Sequence, residues 1–319
     1  MKYIGIDIGG TSVKIGVVDE AGHILERGRC KTLPERGWEA VIHDFGSLCR
    51  DMIEKSQWKD EIASIGIGLP GLYLPETGMV PFCTNLYWHD VPLAAEMKKY
   101  SSLPLFADND ASVAALAEYI SGTSMGTRSS ILITLGTGVG AGIIMDGRIF
   151  TGHHRCAGEL GHMITVAGGE LCTCGARGCW ERYASATALI REGRKIAEAD
   201  PGCGIFRAVQ GDLDAIEART IIDLVRENDP DACRLFDWYI EHLCAGLRNL
   251  INAFDPEIIL LGGGVSAAGD LLLDRVRERM PSMVFFKTMP YARIELARLK
   301  NDAGIIGAAM LGKIELEGA

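Results

Sequence analysis

Short β-branched apolar runs alternate along this chain with segments whose apolar residues recur every three or four positions. Residues 3–8 and 13–18 are such runs, and Gly9-Gly10-Thr11-Ser12 between them predicts a tight glycine hairpin. From Trp38 to Ile53 the residues Trp38, Val41, Ile42, Phe45, Leu48, Cys49, Met52 and Ile53 trace one face of a helix. Ile62–Leu69 reads as a strand buried on both faces, ending in the turn Gly68-Leu69-Pro70-Gly71. Leu103–Phe106 predicts a further strand, leading through Ala107-Asp108-Asn109-Asp110 into an alanine-rich helix over 111–120. Residues 131–135, Gly136-Thr137-Gly138-Val139-Gly140 and residues 141–145 then repeat the opening strand, glycine turn and strand, so the two halves read as an internal duplication with a small indel. Helices are predicted over 186–197, 231–254 and 271–280, with a strand over 258–261 and Ser266 as the cap of the helix at 271. Strands interleaved with helices place the chain in the α/β class. The duplication puts a domain boundary near residue 118, giving domains of 1–118 and 119–303, with the C-terminal helix (304–319) returning to the first.

At 319 residues the chain has room for two domains and a large core. Its formal net charge of −10 offers no electrostatic footprint for nucleic acid or an anionic membrane surface. No apolar run reaches the roughly 18 residues that span a bilayer. The N-terminal MKYIGIDIGG places Asp7 inside its apolar run and reads as a strand, not a signal peptide, so a cytoplasmic protein is expected. Seven of the ten cysteines (30, 49, 83, 156, 203, 233 and 244) have no metal or disulfide spacing and read as small core residues.

Chemistry enters at the turns. A glycine turn exposes backbone N–H groups that can bind phosphate oxygens, to which Thr11 adds a hydroxyl and Lys14 a charge; a plain hairpin is the alternative for either copy alone. Two copies favour phosphate binding. Gly262-Gly263-Gly264 allows close backbone approach to a flat ligand such as adenosine. Asn109-Asp110 stands at a strand-to-helix junction, where an N-cap accounts for one of Asp108 and Asp110, and where an Asn-Asp pair suits binding a hydroxyl and accepting its proton. Asn85, in a loop with Tyr87 and Trp88 nearby, suits a sugar or a loop packed on its own domain. His162, Cys172, Cys174 and Cys179 follow His-x9-Cys-x-Cys-x4-Cys, a closed tetrahedral donor set for structural zinc, with Gly168, Gly169, Gly175 and Gly178 to turn the backbone between them.

Taken together, Asp7-Ile-Gly-Gly-Thr11, Gly68-Leu-Pro-Gly71, Asn109-Asp110, Leu135-Gly-Thr-Gly-Val-Gly140, Gly158-Glu-Leu-Gly-His162, Cys172-Thr-Cys-Gly-Ala-Arg-Gly-Cys-Trp-Glu181 and Leu261-Gly-Gly-Gly264 give a chain that closely resembles the ROK family (repressors, open reading frames and kinases) of the actin-like ATPase superfamily, in particular its bacterial glucokinases. The likeness covers nearly the whole chain. It implies a two-domain ribonuclease-H-like fold with ATP and a sugar in the interdomain cleft, and a homodimer. By the same resemblance Asp110 is the base for the sugar's primary hydroxyl, and Asn109, Glu159, His162 and Glu181 hold ring hydroxyls, with Gly71 and Asn85 completing the pocket. His162 would serve both zinc and sugar. Asp7, Gly9, Gly10, Thr11, Gly136, Thr137 and Gly138 would surround the phosphates and Mg²⁺, and Gly262, Gly263 and Gly264 the adenosine. The expected activity is transfer of the γ-phosphoryl of ATP to the 6-hydroxyl of an aldohexose, most readily glucose, with allose, N-acetylmannosamine or fructose as alternatives. The family's sugar-responsive repressors carry a helix-turn-helix segment before the first phosphate turn, whereas Asp7 here stands near the start, which favours the kinase. The chain departs from the pattern at His153-His154-Arg155-Cys156, where relatives carry small residues, and both histidines are read as surface residues.

Overall fold

The computed structural model describes residues 1–318. It divides into two compact units, Met1–Leu132, Gly142–Gly158 and the chain from Arg298 on forming one, and Ile133–Ala141 with Glu159–Ala297 forming the other. The division passes through two strands of the second glycine hairpin; the boundary expected at 118 falls inside a helix, Asp110–Ser121.

In chain order the elements are β1 (Lys2–Ile8), β2 (Ser12–Asp19), β3 (Ile24–Lys31), α1 (Trp38–Lys55), β4 (Ile62–Leu69), β5 (Leu72–Leu74), β6 (Met79–Cys83), β7 (Trp88–Val91), α2 (Leu93–Met97), β8 (Leu105–Asn109), α3 (Asp110–Ser121), β9 (Ser129–Leu135), β10 (Val139–Met145), β11 (Arg148–Ile149), α4 (Glu181–Ala184), α5 (Ala186–Ala199), α6 (Gly204–Ala208), α7 (Ala218–Arg226), α8 (Pro230–Phe254), β12 (Ile258–Gly262), α9 (Asp270–Met283), β13 (Arg293–Leu296) and α10 (Ala303–Glu317). The strands form sheets of order β3-β2-β1-β4-β8 and β11-β10-β9-β12-β13, with a small third sheet β5-β6-β7. In the first sheet β1, β2 and β3 are antiparallel neighbours, and β1, β4 and β8 run parallel. The second repeats that plan in its antiparallel pair β10-β11 and its parallel pair β12-β13.

The alternation within β1 decides what covers the first sheet. Ile4, Ile6 and Ile8 point one way, into a buried cluster with Val41, Ile42, Phe45 and Cys49 of α1 and Ile65, Ile67 and Leu69 of β4. Each such side chain contributes roughly 1.5–3 kcal/mol by its burial. The opposite face gives up that contribution for close approach. Gly16, Gly5 and Gly66 stand side by side on β2, β1 and β4. A methyl group on Gly5 would overlap the Ile305 carbonyl oxygen, and one on Gly66 the Ala308 carbonyl oxygen. The backbone of α10 therefore lies directly on the sheet, which explains a helix that is small and apolar all round. Gly307, on the side of α10 toward α3, admits the Val113 carbonyl in the same way.

In the second unit the 25-residue helix α8 is the centre, with α4, α5, α7 and α9 packed along it. The three glycines run from the last residue of β12, Gly262, into a 3-10 turn, Gly264–Ala268, before α9 begins. Ser266 lies within that turn, its hydroxyl donating to the Gly263 carbonyl at 2.7 Å, and Gly269 takes the N-cap position of α9. The expected serine cap is thereby corrected: the third glycine starts the extra turn and moves the helix beyond the hydroxyl's reach. No helix among the described residues is long and apolar enough to cross a membrane.

Candidate functional site

The parallel register of the first unit aligns its candidate residues. Asp7 pairs with Gly68 and Gly68 with Asp108, and one step on Leu69 pairs with Asn109, so these residues form adjacent rows at the C-terminal ends of β1, β4 and β8. Ligands of open α/β sheets collect at such ends. The β1-β2 turn is tight, the Gly9 amide donating to the Ser12 carbonyl at 3.1 Å. Space above Gly10 is open, since a methyl there would meet no atom within 4 Å. Lys14 lies opposite Asp7 across the hairpin; its Nζ is 3.2 Å from Asp7 Oδ2 and 3.5 Å from the Asn301 carbonyl oxygen. Gly304, at the start of α10, meets the same carboxylate, and a methyl on it would sit 2.7 Å from both Asp7 oxygens. In the sequence Gly304 only opens the C-terminal helix; its part here shows through its contact with Asp7, far away in the chain.

The β8–α3 junction differs from the capping expected of its carboxylates. Asn109 is the N-cap, its Oδ1 accepting from the amides of Ala111 at 2.9 Å and Ser112 at 3.4 Å. An extended φ of −60° and ψ of 145° lets its short side chain fold back over the first turn, which neither neighbour can do from its own position. Asp110 becomes the first helical residue, with Oδ1 accepting from the Ala111 amide at 2.8 Å. Asp108 points elsewhere: Oδ1 accepts from the Asn109 amide at 2.7 Å and Oδ2 from the Arg155 guanidinium at 2.8 Å. Burial pushes the Asp108 carboxyl above its ordinary value, against the pull of Arg155. Gly71 and Asn85 belong to the same end of this unit. A methyl on Gly71 would lie 2.6 Å from the Phe82 carbonyl oxygen, and Asn85 sits in the 3-10 turn that follows Cys83. Burial raises the Cys83 thiol to about 12, with the Asp110 carboxylate adding to the effect. His153 and His154 are exposed, as expected, and so is Cys156, which corrects its assignment to the core.

The second unit carries the metal-type cluster. The ligand atoms of His162, Cys172, Cys174 and Cys179 all lie within 4.8 Å of one another. His162 Nδ1 is 3.6 Å from Cys172 Sγ, and Cys174 Sγ is 3.5 Å from Cys179 Sγ. Edges of roughly 3.6 Å (N to S) and 3.8 Å (S to S) follow from the usual Zn–N and Zn–S bond lengths in a tetrahedron, so the donor set fits that ion. The loop is closed by short pairings, the Cys172 amide on the Ala176 carbonyl at 2.8 Å and the Gly178 amide on the Glu170 carbonyl at 2.9 Å. Gly175 and Gly178 adopt φ of 88° and 87°, the left-handed region in which a side chain would be strained. Trp180 anchors the loop: it is fully buried, its indole lies on Gly246 of α8 and its Nε1 donates to the His242 carbonyl at 2.9 Å. His162 thus turns Nδ1 to the thiols and Nε2 to Glu159, whose Oε2 is 4.0 Å away. Glu181 reaches both ways, Oε2 accepting from the Val139 amide at 3.1 Å and Oε1 lying 3.8 Å from Cys172 Sγ. It therefore ties the zinc-type loop to the second glycine turn, where a methyl on Gly136 would meet nothing within 4 Å. Gly263 packs on the backbone of Leu135 beneath that turn. A separate cavity of about 690 Å³ on α6, α7 and the start of α8 holds none of these residues.

This architecture is the α/β sugar-kinase fold of the actin-like ATPase type. Residues 3–315 match the family described as ROK family, and the chain belongs to it. It is 38% identical to a glucokinase of Streptomyces coelicolor and covers 97% of each chain. It is 34% identical to a glucokinase of Thermotoga maritima over 100% of this chain and 99% of that one. A ROK family glucokinase from Streptomyces griseus, solved in complex with glucose and AMPPNP, is 36% identical and superposes with a TM-score of 0.81, covering 98% of this chain and 99% of that one.

Proposed function

We propose that the chain is an ATP-dependent hexokinase that phosphorylates the 6-hydroxyl of glucose. The observation that carries this reading is the full-length likeness to the Streptomyces griseus enzyme, whose structure holds glucose and a nucleotide analogue. Asp110 accepts the proton of the sugar's 6-hydroxyl as that oxygen attacks the γ-phosphorus of ATP and ADP leaves. The position of Asp110 is consistent with the role: Asn109 is the N-cap of α3, and Asp110 is its first helical residue, with Oδ1 on the Ala111 amide at 2.8 Å. The residues assigned to the sugar are Gly71, Asn85, Asn109, Glu159, His162 and Glu181. Asp7, Gly9, Gly10, Thr11 and Lys14, with Gly136, Thr137 and Gly138, serve the nucleotide's phosphates, and Gly262, Gly263 and Gly264 its adenosine. Asp7 would hold Mg²⁺, which would supply charge neutralisation to the nucleotide's phosphates. A zinc ion on His162, Cys172, Cys174 and Cys179 would be structural, since four protein donors leave no open position. His162 would hold the ion through Nδ1, which lies 3.6 Å from Cys172 Sγ, while Nε2 faces Glu159.

An ADP-release assay across hexoses and N-acetylhexosamines tests the reading. Glucose should give the highest kcat/KM, and failure to turn over any sugar would contradict it.

A further inference from the structure

The segment His153-His154-Arg155-Cys156 contributes one side chain, Arg155, to the first unit's interior. Arg155 has φ of 58°, the left-handed region that favours glycine. Its guanidinium lies 2.8 Å from Asp108 Oδ2, with Arg155 27% and Asp108 11% exposed. The other Asp108 oxygen holds the Asn109 amide at 2.7 Å, Asn109 Oδ1 holds the Ala111 amide at 2.9 Å, and that amide also meets Asp110 Oδ1 at 2.8 Å. An unbroken chain of hydrogen bonds therefore runs from the 150–158 segment to the carboxylate assigned as the base.

We propose that Arg155 is a positioning residue for phosphoryl transfer, fixing the Asn109–Asp110 pair through Asp108. The inference rests on the reading of Asp110 as the base. Asp108 cannot hold the Asn109 peptide as firmly without the guanidinium. Its buried carboxylate would then turn to water or take a proton, and either change frees one of its two oxygens to reorient. Glu315 of α10 opposes ionisation of Asp108, and Arg155 favours it.

The test is steady-state kinetics with glucose and ATP on the wild type, R155G, R155K, D108N, D108N/R155G and D110N, each with its melting temperature. R155G removes the side chain and relaxes the backbone at once. It should lower kcat about tenfold and raise the glucose KM about threefold, leaving the ATP KM within about twofold, the scale expected for a misplaced catalytic group. R155K, which keeps the charge, should recover part of the loss, and D108N/R155G should be no worse than D108N. A merely structural role would lower the melting temperature and the active fraction without moving the glucose KM or linking the two positions. Wild-type kcat and glucose KM in R155G, or losses that multiply in the double variant, would overturn the proposal. Should R155G fail to fold, D108N decides, wild-type kinetics there overturning it. Loss of turnover in D110N with R155G unaffected would sink this inference alone; turnover retained in D110N would sink the base assignment beneath it.

Discussion

Gly304 shows how a single absent methyl group shapes this site. It is a helical residue, where alanine is ordinarily favoured by up to about 1 kcal/mol, yet a Cβ would stand 2.7 Å from both Asp7 oxygens. Gly304→Ala should therefore keep or raise the melting temperature while lowering kcat with Mg-ATP about tenfold, because a carboxylate displaced by about 1 Å serves its ligand poorly. Unchanged kinetics would show that Asp7 has freedom the packing does not suggest. At this scale the sequence was partly legible. Asp7, Asn109, Asp110 and the zinc-type ligands stand out by type and spacing. The division of labour at the β8–α3 junction did not, since which of three adjacent polar residues caps a helix depends on backbone angles and not on composition. The Arg155–Asp108 pair joins positions 47 residues apart, and no local pattern announces it.

Among the elements, the glycine hairpins were readable because their turn chemistry is local, and β1-β2 forms in the register their lengths imply. The close seat of α10 on the first sheet was less so, for Gly5, Gly16 and Gly66 each look unremarkable until strand pairing sets them in a row. Gly66→Ala should cost about 3 kcal/mol or more, beyond ordinary overpacking, because the overlap is with the Ala308 carbonyl of a helix backbone that has no rotamer to yield. The midpoint of urea unfolding measures this, and an unshifted midpoint would mean α10 lifts off easily. The zinc-type loop makes a second prediction. Cys174→Ser, or prolonged treatment with a strong chelator, should lower the melting temperature and weaken glucose binding together, because the ion would fix both the loop and the His162 ring. Metal analysis of freshly purified protein should find one zinc per chain, and its absence would count against the assignment.

Across the whole molecule, two five-stranded sheets repeat one plan, three strands from a glycine hairpin followed by two more reached through helices. The repeat was visible in sequence only at the turns, because the turns require glycine while the strands accept any β-branched residue at the same position. Each copy leaves open space over a turn glycine, Gly10 in one and Gly136 in the other, as a phosphate cradle requires. In the proposed function Asp110 is the base for the sugar's 6-hydroxyl. The most direct measurement is kcat for glucose phosphorylation by ATP in the wild type and in Asp110→Asn, with glucose binding followed separately by calorimetry. The account predicts a fall of at least about a hundredfold in kcat with glucose still bound; undiminished turnover in Asp110→Asn would contradict it.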